Sequence, residues 1–127
     1  MCGISGVLSD KENNSIDIKR TAAIMSGILS HRGPDDSGVW SNPENICAMS
    51  HSRLAIIDLS SAGHQPMSSQ CGRYTIVFNG EIYNHDHLKA ELERSKLSNT
   101  TWRGHSDTEI LLEAIVVWGL KKALQKS

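Results

Sequence analysis

Hydrophobic and polar positions alternate along this chain with a spacing that changes from segment to segment. Gly3–Leu8 is a short run of apolar and small residues, which predicts a buried strand, and the polar residues 11–15 predict a turn. Over residues 17–30 the apolar side chains Ile18, Ala22, Met25 and Leu29 recur at helical spacing, with Ile24 and Ile28 beside them. That pattern predicts an amphipathic helix ended by Arg32-Gly33-Pro34. The period then shortens. Residues 38–40 and 46–49 flank the turn-rich Asn42-Pro43-Glu44-Asn45 and predict a hairpin. Residues 53–59 and 74–78 are rich in Ile, Val and aromatic side chains and predict two central strands, too apolar to have a wet face. Leu88 and Leu92 predict a helix over 85–94. Ser106-Asp107-Thr108-Glu109 reads as a capping box, with Ser106 as cap and Glu109 reaching back, opening a helix whose stripe of Ile110, Leu111, Ala114, Ile115 and Trp118 stops at Gly119. One helix, then strands, then helices give an α+β class with helices laid on antiparallel sheet.

Composition narrows the function classes. A chain of 127 residues, without repeats or low-complexity tracts, is one domain's length. The net charge of −1, from 13 basic and 14 acidic residues, leaves no footprint for nucleic acid or an anionic membrane. The longest apolar stretch, 114–118, is too short to span a bilayer, and the first twenty residues hold no apolar signal core, so the expectation is a soluble, cytoplasmic protein. Cys2, Cys47 and Cys71 are an odd count at irregular spacing, which fits reduced thiols better than disulfides or a zinc site. His85 and His87 lack a companion ligand at a metal-binding spacing, and no metal is expected.

Chemistry enters with Cys2. Removal of Met1 leaves a residue that carries a thiol and a free α-amine together. Such an amine titrates at about 7.7–8.0, so at neutral pH a useful fraction can accept the thiol proton. Alone, "MC" is an ordinary chain start. Four other stretches carry more polar specificity than a fold requires: "HRGPDD" (31–36), "SRLAIID" (52–58), "FNGEIYN" (78–84) and "GHSDTE" (104–109).

Together with "MCGISG", "GHQPM" and "EILL", these stretches resemble, in order and spacing, the glutaminase domain of class II glutamine amidotransferases, most closely the asparagine synthetase branch. The resemblance covers almost the whole chain. It implies an N-terminal-nucleophile hydrolase fold, a four-layer αββα sandwich of two antiparallel sheets covered by helices, with 1–127 as a partial glutaminase domain lacking its last strands and the ATP-dependent synthetase domain. It further implies glutamine hydrolysis to glutamate and ammonia through a Cys2 thioester. The residue chemistry is compatible with this. Asn79 offers a side-chain NH2 and Gly80 an unshielded backbone N–H to a tetrahedral oxygen, the pair the resemblance assigns to the oxyanion hole. Arg53 can grip the α-carboxylate of glutamine, and Asp107 and Glu81 its ammonium. The backbones of Ile56 and Ile57 complete the pocket by resemblance. Arg32, Gly33, Pro34 and Asp35 are expected to shape the loop beside the nucleophile, and Cys47 and Cys71 to have no catalytic part.

The implied partners are L-glutamine, a synthetase domain or subunit that takes the ammonia, and a second copy of the chain covering exposed sheet edges. No cofactor is expected in this domain; ATP and magnesium belong to the synthetase part. The alternative is a catalytically silent, truncated glutaminase-like interaction or regulatory module, which truncation or a retained Met1 would produce. The phosphoribosyl- and hexosamine-forming amidotransferases are disfavoured by the wording of "SRLAIID" and "EIYNHDHL".

Overall fold

The computed structural model describes residues 1–10, 16–55, 60–95 and 101–127, which fall into two compact units. The first comprises Met1–Ile56, His64–Pro66 and Val77–Asn79; the second comprises Ile57–Gly63, Met67–Ile76 and Gly80–Ser127.

In the first unit, β1 (Gly3–Leu8), β3 (Cys47–Arg53) and β2 (Asp36–Ser41) form an antiparallel sheet in the order β1-β3-β2. Asn42 closes the β2–β3 hairpin, its Oδ1 accepting hydrogen bonds from the amides of Ile46 (3.0 Å) and Cys47 (2.8 Å). Helix α1 (Ile18–Ile28) starts where Asp17 accepts a bond from the Arg20 amide at 2.9 Å, a cap worth about 1 kcal/mol. A 3-10 turn over Leu29–Arg32 ends it.

Side-chain alternation divides the sheet into two faces. Val7, Ala48 and Val39 pack against Ile18 and Ala22 of α1. On the same face two hydroxyl pairs replace apolar contacts: the buried pair of Ser52 with Ser26 at 3.0 Å, and the part-buried pair of Ser50 with Ser5 at 2.5 Å. The opposite face carries His51 and Arg53 of β3, beside Gly38 and Asp36 of β2 in register.

In the second unit β4 (Met67–Ser68) and β5 (Thr75–Ile76) form a two-stranded ladder. Helices α2 (His85–Arg94), α3 (Asp107–Trp118) and α4 (Leu120–Lys126) pack in sequence, α2 on α3 and α3 on α4. Leu88 and Leu92 of α2 are fully buried, and α3 is buried at every position from Asp107 to Ile115.

The described residues are therefore α+β with four helices and antiparallel pairing. Several sequence expectations need correction. Strand β1 is an edge strand with one open face, since Ile4 and Leu8 are exposed. Ile24 and Ile28 of α1 are likewise exposed; its buried stripe runs through Ile18, Ala22 and Ser26. The strand expected over 53–59 is not found where described: Arg53 is the last residue of β3, Leu54 and Ala55 are not in a strand, and 56–59 lie outside the described residues, as does the turn expected over 11–15. The central strand expected over 74–78 shrinks to the half-buried pair Thr75–Ile76. The stop expected at Gly119 does end α3, and a further helix, α4, follows it directly.

Candidate active site

The end of β3 and the loop after α1 surround Cys2, and all of this belongs to the first unit. The half-buried Cys2 thiol meets the chain just beyond β3: the Leu54 amide donates to Sγ at 3.3 Å, and Sγ lies 3.7 Å from the Leu54 carbonyl. Arg53, immediately before, is buried at 8% exposure. A guanidinium is seldom buried to this degree without partners, and this one has them.

Loop residues 32–35 strap the same place. Arg32 donates from Nε to the Cys2 carbonyl at 3.3 Å. The Asp35 amide donates to the Arg53 carbonyl at 3.0 Å, and its carboxylate accepts from the Ala55 amide at 2.8 Å. Between them Gly33 presses on the backbone of Ser52 and Arg53, where a Cβ would overlap main-chain atoms. Pro34 is exposed and, as a proline, has no amide N–H to donate. Arg32, Gly33 and Asp35 thus hold Cys2 and Arg53 to one loop.

Asn79, Gly80 and Glu81 are exposed at the end of the segment that follows β5; Asn79 belongs to the first unit, Gly80 and Glu81 to the second. Asp107, in the second unit, is buried at the first position of α3 and accepts a hydrogen bond from the Ile82 amide at 2.9 Å. It fixes the backbone one residue after Glu81. Ser106 caps α3 through the Thr108 amide at 3.2 Å. Glu109 does not close the expected capping box. Its buried carboxylate reaches beyond the cap to the amides of Arg103 (3.0 Å) and Gly104 (3.2 Å) and to Arg103 Nε (3.0 Å). Ile56 and Ile57 lie outside the described residues. Cys47 sits half-buried in β3, and Cys71 is exposed, its pKa lowered chiefly by the Ser69 hydroxyl.

Two residues of the first unit escaped the sequence reading. His51, two positions before Arg53 on β3, is 1% exposed, and neither ring nitrogen has a hydrogen-bond partner among the described residues. Burial pushes its pKa below the ordinary 6.5; Arg53 and His64 act in the same direction, while the Phe78 backbone and Asp36 oppose it. A neutral imidazole therefore lies beside a buried guanidinium. Gln65, also buried, accepts a hydrogen bond at Oε1 from the Phe78 amide at 2.6 Å. The "HSR" and "HQP" wording around these residues was the available signal; burial was what gave it meaning. Among the described residues no three His, Cys, Asp or Glu side chains gather as metal ligands, and no helix is long and apolar enough to cross a membrane.

A family model described as a glutamine amidotransferase domain matches residues 1–127, the whole chain. The chain belongs to the glutamine amidotransferase domain family. It is similar to asparagine synthetase [glutamine-hydrolyzing] 3 of Bacillus subtilis (strain 168), with 40% identity over 125 residues that cover 93% of this chain and 18% of the relative. Asparagine synthetase B [glutamine-hydrolyzing] of Escherichia coli (strain K12) is 41% identical over 91 residues, covering 72% of this chain and 16% of the relative. Asparagine synthetase [glutamine-hydrolyzing] 1 of Arabidopsis thaliana is 38% identical over 121 residues, covering 94% of this chain and 19% of the relative. The chain spans less than a fifth of the length of these three relatives.

Proposed function

We propose that this glutamine amidotransferase domain hydrolyses glutamine to glutamate and ammonia through a Cys2 thioester, and that the ammonia feeds amide formation of the asparagine synthetase type. Family membership supports the reaction class. The observation that carries the reading is the Leu54 amide on Cys2 Sγ, because it sets the thiol against the chain one residue from the buried Arg53.

Once Met1 is removed, the Cys2 α-amine takes the thiol proton and the sulfur attacks the γ-carbonyl carbon of glutamine. Negative charge develops on the carbonyl oxygen and is met by the Asn79 side-chain NH2 and the Gly80 backbone N–H. Collapse of the tetrahedral species, with the proton returned to the leaving nitrogen, releases ammonia; water then cleaves the thioester to glutamate. Arg53 grips the α-carboxylate, and Asp107 and Glu81 hold the ammonium. Arg32, Gly33, Pro34 and Asp35 keep the loop against the nucleophile. No cofactor takes part in these steps; ATP and magnesium act in the synthetase portion that uses the ammonia.

The antiparallel sheet of the first unit, with α1 on one face, supports an N-terminal-nucleophile hydrolase sandwich. Exposed Leu8, Ile24 and Ile28 support association with a synthetase portion or with a second copy.

A second reading is a glutaminase-like module without turnover. Met1 precedes Cys2, and while it remains the Cys2 nitrogen is a peptide amide with no basic lone pair. Intact mass separates the two. Protein lacking Met1 should take up one equivalent of 6-diazo-5-oxo-norleucine and release ammonia from glutamine, and Cys2→Ala should abolish both. Labelling that persists at Cys47 or Cys71 would overturn the assignment of the nucleophile.

A further inference from the structure

We propose that Gln65 is a positioning residue for Asn79: its side-chain carbonyl fixes the Phe78 amide, and through it the backbone that presents the oxyanion donor. The inference rests on the glutaminase reading and deepens it.

Phe78 lies beyond the last strand pairing of its segment, since β5 ends at Ile76. Its amide therefore has no ladder partner, and the Gln65 Oε1 acceptor, 2.6 Å away, takes the place of one. Gln65 is itself held to the sheet. At Gly38 of β2 the Gln65 carbonyl and the His64 ring come so close that a Cβ could not be accommodated. Next to Gln65, His64 Nδ1 pairs with Asp36 Oδ2 at 2.7 Å. Asp36 and Gly38 are in register with Arg53 and His51 on β3. A continuous set of contacts therefore runs from the strand carrying Arg53, through β2 and Gln65, to the residue before Asn79.

All of these groups belong to one unit, as does Cys2. Asn79 itself is exposed, so little burial restrains it, and its place depends on the backbone that leads into it. An oxyanion donor works only within about 2.7–3.1 Å of the developing charge. A displacement of about 1 Å costs on the order of 10²-fold in rate. A neutral amide suits this position better than a carboxylate, because Oε1 accepts without a buried charge.

The test uses Met1-free protein, with turnover expressed per Cys2 titrated by diazo-oxo-norleucine, so that loss of folded protein is not read as loss of rate. Gln65→Met keeps the length of the side chain and removes the acceptor; Gln65→Asn, one methylene shorter, serves if the methionine variant does not fold. The expected result is a fall in kcat for glutamine of about 10- to 100-fold, with KM changed by less than about threefold because the carboxylate and ammonium contacts are untouched. Gln65→Glu, which keeps an acceptor in place, should recover most of the lost rate.

Glutamate γ-semialdehyde supplies an independent reading. The Cys2 thiol adds across its carbonyl, the S–C bond forming as the oxygen takes the proton, and the oxygen then occupies the tetrahedral position. Its affinity should fall in parallel with kcat, while that of the product glutamate stays constant. In an Asn79→Ala background, Gln65→Met should add almost nothing, whereas a merely structural role would lower turnover equally in both backgrounds. A folded Gln65→Met or Gln65→Asn protein with wild-type kcat overturns the inference alone. Wild-type protein that neither hydrolyses glutamine nor takes up diazo-oxo-norleucine at Cys2 overturns the glutaminase reading, and the inference with it.

Discussion

Gly33 and Ser52 meet backbone to backbone, with no room between them for a Cβ. The contact lets the 32–35 loop lie flat on the end of β3, where Arg32 reaches Cys2 and Asp35 reaches Ala55. Gly33→Ala should therefore do more than change a loop. Overpacking typically costs about 1–3 kcal/mol, and the displaced loop should also slow alkylation of Cys2. Urea denaturation and iodoacetamide kinetics check the two effects; a variant with the wild-type midpoint and labelling rate would show that the loop can move away without consequence.

His51 makes stability depend on pH in a defined direction. Burial holds its folded pKa below the value of 6.5 that the unfolded chain shows, so below neutrality the unfolded state binds more protons than the folded one. The contribution is complete above pH 6.5 and is lost as pH falls from there through the folded pKa. Arg53 and His64 deepen the effect, and Asp36 limits it. Urea midpoints between pH 7.5 and 5 should fall more steeply for wild type than for His51→Gln, with His64→Gln as the control for its neighbour. Equal slopes would remove His51 as the source.

Much of this fold was legible because local rules agreed with it. Leu88 and Leu92, the Ser106 cap and the Asn42–Asn45 turn each act within a few residues, and α2, α3 and the β2–β3 hairpin stand where those signals put them. Strand β3 was obscured by its own chemistry. The polar Ser50, His51 and Ser52 interrupt the apolar pattern, yet two of them are satisfied by hydroxyls on β1 and α1, far away in sequence. Helix α4 was hidden because Gly119 reads as a stop, whereas it ends one helix and begins the next. At the site, Cys2 and Arg53 were visible as residue types out of place. Gln65 was not, since an amide acquires meaning only from the amide it faces.

Arg53→Lys should separate binding from chemistry. A buried guanidinium presents two parallel donors to a carboxylate, while an ammonium presents a point charge on a more flexible stem. The glutamine KM should rise about tenfold or more, with a much smaller change in kcat, because the α-carboxylate is held alike in ground and transition states. Initial-rate kinetics at saturating and limiting glutamine decide the matter. An unchanged KM would take Arg53 out of the binding site.

The buried Glu109 carboxylate predicts a purely structural phenotype. It collects the Arg103 and Gly104 amides and the Arg103 guanidinium, so Glu109→Ala leaves those donors without an acceptor. The expected loss is about 1–3 kcal/mol, with the glutamine KM unchanged in the protein that remains folded. Chemical denaturation alongside titrated kinetics checks this, and a raised KM at wild-type stability would move Glu109 from scaffold to binding.

Asp107 combines two duties that one substitution can part. Its carboxylate accepts the Ile82 amide at 2.9 Å, which orders the chain just after Glu81, and its charge is the feature proposed to hold the glutamine ammonium. Asp107→Asn keeps an oxygen in the same place for Ile82 and removes the charge. Losing a negative charge in the first turn of α3 costs about 0.3–1 kcal/mol, so the fold should survive. Binding should not: glutamine KM is expected to rise at least about tenfold, as for loss of a charge-assisted hydrogen bond. 4-Carboxybutanamide, which has the amide and carboxylate of glutamine but no ammonium, supplies the control. It should be hydrolysed with nearly equal kcat/KM by wild type and Asp107→Asn, because the missing charge has nothing to meet. If the variant loses both substrates equally, the Ile82 contact is the whole of its role and the ammonium must be held elsewhere.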